Sequence, residues 1–352
     1  MSLPRRQNRS RKREPAWAAY SDADLLALRF KDLKLSISGT WLEERLDALH
    51  GELDARGIRV RAHAWLSTEW FSPHDTPGIA IPFYLAHPRL ARLERKMVLE
   101  VEGGTQRECM RILRHEAGHV VQRAYGLHRR AAWRKVFGSA AKPYPEFYRP
   151  NPTSKNHVQH LRRWYAQCHP DEDFAETFAV WLTPRSGWRK HYAEWPGALK
   201  KLEYVDELMS ELAGVRPPAK PRTKMEPLSA LTTTLEEHYE EKRARFSVET
   251  PHVLDRDLTR IFSKESRTRA APPAASLIRK HRNKIMRSVA RWSGEYPLAL
   301  DHAIDDIIDR TRALKLRAAG GEKRMRDELT ELLTAKSVMS LYSSGRRQTF
   351  AV

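Results

Sequence analysis

Between Thr105 and Tyr125 the apolar residues Cys109, Ile112, Leu113, Ala117, Val120, Val121 and Ala124 recur at intervals of three and four. That period predicts an amphipathic helix, and Gly126 is a typical stop for it. A second helix is predicted over Asp171–Leu182, where Phe174, Phe178 and Trp181 fall at i, i+4 and i+7. Upstream, residues 16–66 read as helix ("SDADLLALRFKDL"), strand ("LKLSISGT"), helix ("WLEERLDALHGELDARG") and strand ("IRVRAHAWL"). Gly78–Pro88 predicts another strand, and Pro82, which cannot donate a ladder hydrogen bond, places it at a sheet edge able to line a cleft. "MVLEVE", residues 97–102, predicts a further strand, and Lys155–Gln167 a helix. The Pro- and aromatic-rich residues 133–155 read as a long ordered loop, a type that in compact domains is usually functional or disordered.

Ala213–Pro227 shifts to Pro and basic residues and reads as a linker. Beyond it the pattern is helical over about Leu228–Arg245, Ala274–Trp292, Pro297–Arg317 and Glu322–Tyr342, with no internal repeat. The predicted class is therefore α+β with a small mixed sheet, followed by an α-helical C-terminal region. The expected organisation is a basic tail over 1–15, a first domain over 16–213, a linker over 214–227 and a helical domain over 228–345.

Composition narrows the setting. Lys and Arg exceed Asp and Glu by 63 − 44 = 19, a surplus that favours nucleic acid, anionic surfaces or acidic substrates. The charge is spread over the tail, Arg129–Lys135, Arg216–Lys224 and the C-terminal helices. That spread favours a solvated basic surface, with nucleic-acid binding kept as the rival. The two cysteines, Cys109 and Cys168, make no CxxC pair and no disulfide framework, so a reducing compartment is expected. The basic N-terminus leads into no apolar segment and no run approaches the length of a membrane span. A soluble, cytoplasmic protein without a membrane partner is expected; the pattern leaves its oligomeric state open.

The chemistry centres on "RHEAGH", Arg114–His119. His115 and His119, four apart on a helix, can reach one metal ion, and Glu116 beside them can take the proton of a zinc-activated water. With 15 His and 28 Glu in the chain, random placement gives about 0.05 HExxH occurrences, so a third ligand decides the matter. Gln122 and Tyr125 stand where the HExxHxxGxxH pattern needs Gly and His, which excludes that class. "HPDEDFAETFAVWL" offers carboxylates instead. Asp171, Glu172 and Asp173 suit the first turn of a helix begun by Pro170, whereas Glu176 sits among apolar residues and needs a partner. Glu172 is then placed to hold the metal, and Glu176 to accept the second ring N–H of a ligand histidine. His128, His157, His160 and His169 read as solvated or hydrogen-bonded, and Cys168 has no partner that would make it a nucleophile.

HExxH followed on a second helix by E-x-x-x-[DE] resembles the gluzincin zinc peptidases. More narrowly, "RHEAGH" with "YAQCHPDEDFAETFAVWL" is similar to the bacterial family of putative zinc-binding metallopeptidases, over roughly residues 60–210, and "EDFAETF" resembles the corresponding helix of lethal-factor-type peptidases. The resemblance implies a zincin-like catalytic domain that binds one Zn²⁺ and hydrolyses peptide or protein substrates. It implies His115, His119 and Glu172 as ligands, Asp173 being the lesser candidate, with Glu116 as general base and Glu176 behind a histidine. The lethal-factor-type pattern also places a tyrosine seven residues before the third ligand, which here is Tyr165, to support the oxyanion. The rival from another class is a zincin-fold binding protein without hydrolysis. The long separation of HExxH from Glu172 leaves the shape of the cleft open.

Overall fold

Two helices that lie against each other organise the first half of the protein. The computed structural model describes residues 14–74, 76–145, 147–218, 223–245, 254–264, 270–343 and 346–347, and the basic stretch 1–13 lies outside them. Short helix α1 (Asp22–Leu26) precedes α2 (Trp41–Ala55), α3 (Pro88–Val98) and the long α4 (Gln106–Tyr125). Helix α4 starts where the Thr105 side chain accepts the Glu108 N–H and ends at Gly126, whose φ of +64° is left-handed. Short helix α5 spans Ala131–Phe137. Helix α6 (Pro170–Leu182) is opened by Pro170 and capped by the His169 imidazole, which accepts the Asp171 N–H at 3.1 Å. From Asp171 to Leu182 every residue of α6 is buried.

The covering of α6 explains that burial. Helix α4 crosses one side at Gly118, where an added Cβ would stand 2.7 Å from the Ala175 Cα. The glycine lets the two backbones approach. Trp133 and Phe137 of α5 pack on Phe174 at ring-centroid distances of 5.9 and 5.4 Å. Short helix α7 (Trp188–His191) leads to α8 (Pro196–Glu211), which covers another side of α6. Helix α2 packs on α4, where the Arg114 guanidinium donates two hydrogen bonds to Glu52, at 2.6 and 2.7 Å.

The sheet is smaller than the sequence pattern predicts, and the described residues are mostly helical. Strands β1 (His63–Ser67) and β2 (Gly78–Pro82) pair in parallel, with His63 opposite Gly78 and Ser67 opposite Pro82. The free side of β2 is partly taken by Phe71, whose carbonyl accepts the Ala80 N–H at 2.8 Å. Two-residue strand β3 (Phe147–Tyr148) pairs antiparallel with β4 (Arg346–Arg347).

Several predicted elements take other forms. Residues 33–40 are not a strand: Gly39 at φ +79° and Thr40, whose hydroxyl accepts the Leu42 N–H, form the entry to α2. Residues 21–33 give α1 and a short 3₁₀ turn over Phe30–Leu33 rather than one helix. The segment from Ile58 becomes regular strand only at His63. "MVLEVE" alternates like a strand, yet Met97 and Val98 end α3 and Leu99 turns left-handed at φ 65°. The predicted helix 155–167 is an irregular segment ending in a 3₁₀ turn over Arg162–Gln167. There the Leu161 N–H is taken by Glu176 at 2.7 Å and the Gln159 N–H by the Tyr192 hydroxyl at 3.1 Å, so backbone donors a helix needs are spent on side chains.

Helix α9 (Leu235–Arg245) packs into the first core through Leu235 and Tyr239. Its Lys242 sits 3.0 Å from both Glu69 and Glu94. The second core unites α10 (Asp255–Ile261), α11 (Ala274–Ser293), α12 (Pro297–Ala313) and α13 (Glu322–Ser343) through residues such as Leu258, Ile285, Ile304 and Leu329. Leu298 of α12 packs with the first core instead.

Gly118→Ala tests the helix contact. Alanine improves helix propensity by about 1 kcal/mol, but overpacking against the backbone of α6 costs about 1–3 kcal/mol. We expect a lower melting temperature and weaker zinc binding, read by thermal unfolding and chelator competition; a more stable variant with unchanged affinity would contradict the close contact.

Candidate metal centre

The α4–α6 contact brings three donor atoms to one point. His115 Nε2 lies 3.1 Å from Glu172 Oε2, His119 Nε2 lies 3.3 Å from the same oxygen, and the two imidazole nitrogens are 3.2 Å apart. A tetrahedron with edges near 3.2 Å has its centre about 2.0 Å from each corner, the length of Zn–N and Zn–O bonds. The three side chains are buried, and among the described residues they are the group able to hold a metal ion.

The electrostatics favour a cation there. His115 Nδ1 lies 2.9 Å from Glu176 Oε1, so that N–H donates to Glu176 and the neutral ring turns a lone pair toward Glu172. Glu172 Oε2, close as it is to both imidazoles, receives no hydrogen bond of acceptable geometry. Three electron-pair donors facing one another repel unless a positive charge lies between them. A proton can supply that charge as well: burial works against charge on His115, yet the Glu172 and Glu176 carboxylates hold its pKa well above the ordinary histidine value, so the same group of atoms draws positive charge either way. Burial likewise pushes Glu172 up, but the two histidines outweigh it and hold its pKa well below the usual carboxylate range. Two imidazoles and one carboxylate, which leave the fourth corner of the tetrahedron to water or substrate, fit zinc in a hydrolytic site.

Each carboxylate of α6 has its own task. Glu176, the acid lodged in an apolar stretch, pairs with His115 and accepts the Leu161 N–H at 2.7 Å, which offsets its burial. Asp171 accepts hydrogen bonds from Gln122, at 2.7 Å, and from Arg123, tying α6 to the last turns of α4. Asp173 faces away from the centre and pairs with Lys201 of α8 at 2.6 Å, so it is outside the donor group. Glu116 is buried on the cleft wall, and its Oε2 has no hydrogen-bond partner.

The predicted tyrosine is also in the cleft. Tyr165 is buried, and its ring lies 5.8 Å from the His115 ring. It follows Arg163 and Trp164, two residues with left-handed φ of 68° and 54°. A second tyrosine was not singled out by sequence reasoning. The Tyr144 hydroxyl donates to Glu172 Oε1 at 2.8 Å, and its ring stacks on His169 at 3.9 Å. Its signal was the aromatic-rich segment 133–155, whose first residues prove to belong to α5. His160 donates to the Arg111 carbonyl at 2.9 Å and His169 caps α6, so both are hydrogen-bonded rather than ligating. Burial pushes both cysteine thiols up to about 12, leaving Cys109 and Cys168 unreactive at neutral pH.

These side chains open into a cleft of about 1160 Å³, counting its mouth. Strand β2 is fully buried and does not line it, contrary to the sequence expectation; of Gly78–Leu85 only Tyr84 reaches the wall, beside the segment Glu69–Ser72. Tyr296 and Leu298, from the C-terminal helices, line the same cleft.

Residues 90–190 match the family described as "Putative zinc-binding metallo-peptidase". The matched stretch contains the donor residues, Glu116, Glu176 and both tyrosines. The resemblance to that family read from the motifs is thus shown over residues 90–190. No curated protein and no solved structure shows a significant match to the chain. No helix among the described residues is long and apolar enough to cross a membrane.

Partners behind metal ligands typically change affinity 10–100-fold. Glu176→Gln and Tyr144→Phe are therefore each expected to weaken zinc binding by about 10-fold or more, while Asp173→Asn leaves it near parent. Competition with a fluorescent chelator measures this, and an unchanged affinity in Glu176→Gln would remove that residue from the site.

Proposed function

We propose that the protein is a zinc-dependent peptidase with a zincin-like, gluzincin-type site, acting on peptide or protein substrates. The observation that carries this reading is the trio of donor atoms 3.1–3.3 Å apart in a buried cleft. His115, His119 and Glu172 hold the ion. When bound, zinc polarises the scissile carbonyl and makes water acidic enough to lose a proton near neutral pH.

The chain's own residues carry the rest. Glu116 accepts the proton of the attacking water and delivers it to the nitrogen of the leaving amine. Its buried Oε2, without a hydrogen-bond partner, is kept for that proton. Glu176 fixes His115 in the tautomer whose Nε2 is a lone-pair donor, and Tyr144 fixes the rotation of Glu172. Tyr165 supports the negative charge that develops on the carbonyl oxygen, as its place beside His115 supports.

Zinc-loaded parent should release fragments from a mixed peptide pool, and a chelator should stop it. Glu116→Gln should keep one zinc per chain and lose about 10²–10⁴-fold in rate, the usual share of a general base. Metal analysis with mass-spectrometric product detection reads both. Parent-like turnover by Glu116→Gln would sink the mechanism, and zinc-loaded parent with no turnover on any peptide would leave the binding-protein reading in its place.

A further inference from the structure

The C-terminal helices carry no catalytic motif, yet they reach the metal cleft. Gly294, at φ +66°, ends α11, and Glu295 and Tyr296 make the turn into α12. Tyr296 and Leu298 line the cleft together with His115, Glu116 and Glu172. Leu298 is only 3 % exposed and packs with the core of the catalytic half. The corner is fastened by one side chain. Arg163, itself buried, donates from Nε to the Gly294 carbonyl at 3.0 Å, lies 3.6 Å from Glu295 and stacks its guanidinium 3.4 Å over the Tyr296 ring.

Arg163 and Trp164 both hold left-handed backbone, which is unfavourable for each non-glycine residue. Such strain persists where the surroundings over-determine it, and it clusters at functional sites. Here it brings the Arg163 guanidinium to the corner while Tyr165, two residues on, faces the metal centre.

We propose that the α11–α12 corner is a specificity-determining wall of the cleft, where Tyr296 and Leu298 receive an apolar side chain of the substrate beside the scissile bond. Arg163 is the positioning residue that sets this wall against the turn carrying Tyr165. The inference rests on the peptidase reading and names the substrate class for it. Val98, Ile112 and Leu161 complete an apolar lining. Most acids nearby are compensated: Lys242 bridges Glu69 and Glu94, and Glu100 pairs with Arg162 at 2.7 Å. Glu102, pushed up to about 7 by burial and by the neighbouring Glu69, is the exception, and it makes a basic side chain the competing occupant.

The test uses the full-length, zinc-loaded protein and peptides that differ only in one residue next to the scissile bond: Leu, Phe, Ala or Lys. The parent is expected to prefer Leu and Phe to Ala by at least about 10-fold in kcat/KM, the scale of a pocket that reads a few methylenes. Tyr296→Ala and Leu298→Ala should each erase most of that ratio, mainly through KM. Arg163→Ala should lower the ratio as well and Arg163→Lys restore it in part, whereas Trp292→Ala, exposed on α11, should leave it alone. Tyr296→Trp, which enlarges the wall without truncating it, should shift preference toward smaller residues and covers the case in which a truncation fails to fold.

Binding of the same peptides to zinc-loaded Glu116→Gln separates the two readings. Leu-selective binding that depends on Tyr296, without hydrolysis by the parent, keeps the wall and discards the peptidase. Preference for Lys, absence of preference, or a ratio indifferent to Tyr296 and Leu298 overturns the wall.

Discussion

Three lone-pair donors held within about 3 Å of one another in a buried site are the constraint on which the rest depends. Left alone they repel, so the scaffold must force them together and a cation must make the arrangement favourable. The force comes from the close crossing of α4 and α6 at Gly118 and Ala175. Asp171 ties the crossing at one end to Gln122 and Arg123, and Glu176 ties it at the centre to His115. The helices that supply the ligands are thus also the helices that the ligands' neighbours lock. Metal affinity and the stability of the α4–α6 contact are two readings of one packing arrangement.

The burial of α6 follows from the same demand. A helix with four carboxylates in six residues makes a poor core element unless each acid has a partner. Asp171 takes α4, Glu172 the metal centre and Tyr144, Asp173 takes Lys201 of α8, and Glu176 takes His115 and a backbone amide. Each acid is therefore answered by a neighbouring element: α4 for Asp171 and Glu176, α8 for Asp173, and α4 together with the Tyr144 segment for Glu172. The polar groups specify which element packs where, while Phe174 and Phe178, both fully buried, supply the apolar burial.

How much of this was legible in the sequence depended on the range of the interactions. Helices α4 and α6 were read closely because their period, caps and stops are local: Thr105 and Gly126 for one, Pro170 for the other. The donor trio was readable because i, i+4 spacing fixes two of its members and the isolated Glu176 betrayed the partner helix. The segment 155–167 was misread because its backbone amides answer to Glu176 and Tyr192, far along the chain. "MVLEVE" was misread because its alternation is short and α3 runs into it. Tyr296 and Leu298 carry no local pattern, and Tyr144 only that of an aromatic-rich segment; the folded chain places all three in the cleft.

Chemistry and enclosure are separated along the chain. The residues proposed to hold metal and move protons all lie within the family-matching stretch 90–190. Part of the wall comes from outside it: Glu69–Ser72, Lys242 of α9, and Tyr296 and Leu298 from the C-terminal helices, beside Val98, Ile112 and Leu161 from within the stretch. Two buried cations join these walls to the catalytic half, Lys242 to Glu69 and Glu94, and Arg163 to Gly294, Glu295 and Tyr296. A buried charge is costly once its partner is removed, so neither wall can swing away without exposing or orphaning one of these groups. The C-terminal helices are in that sense part of the cleft, and a donor group built by one short stretch of sequence takes one wall from an element more than a hundred residues away.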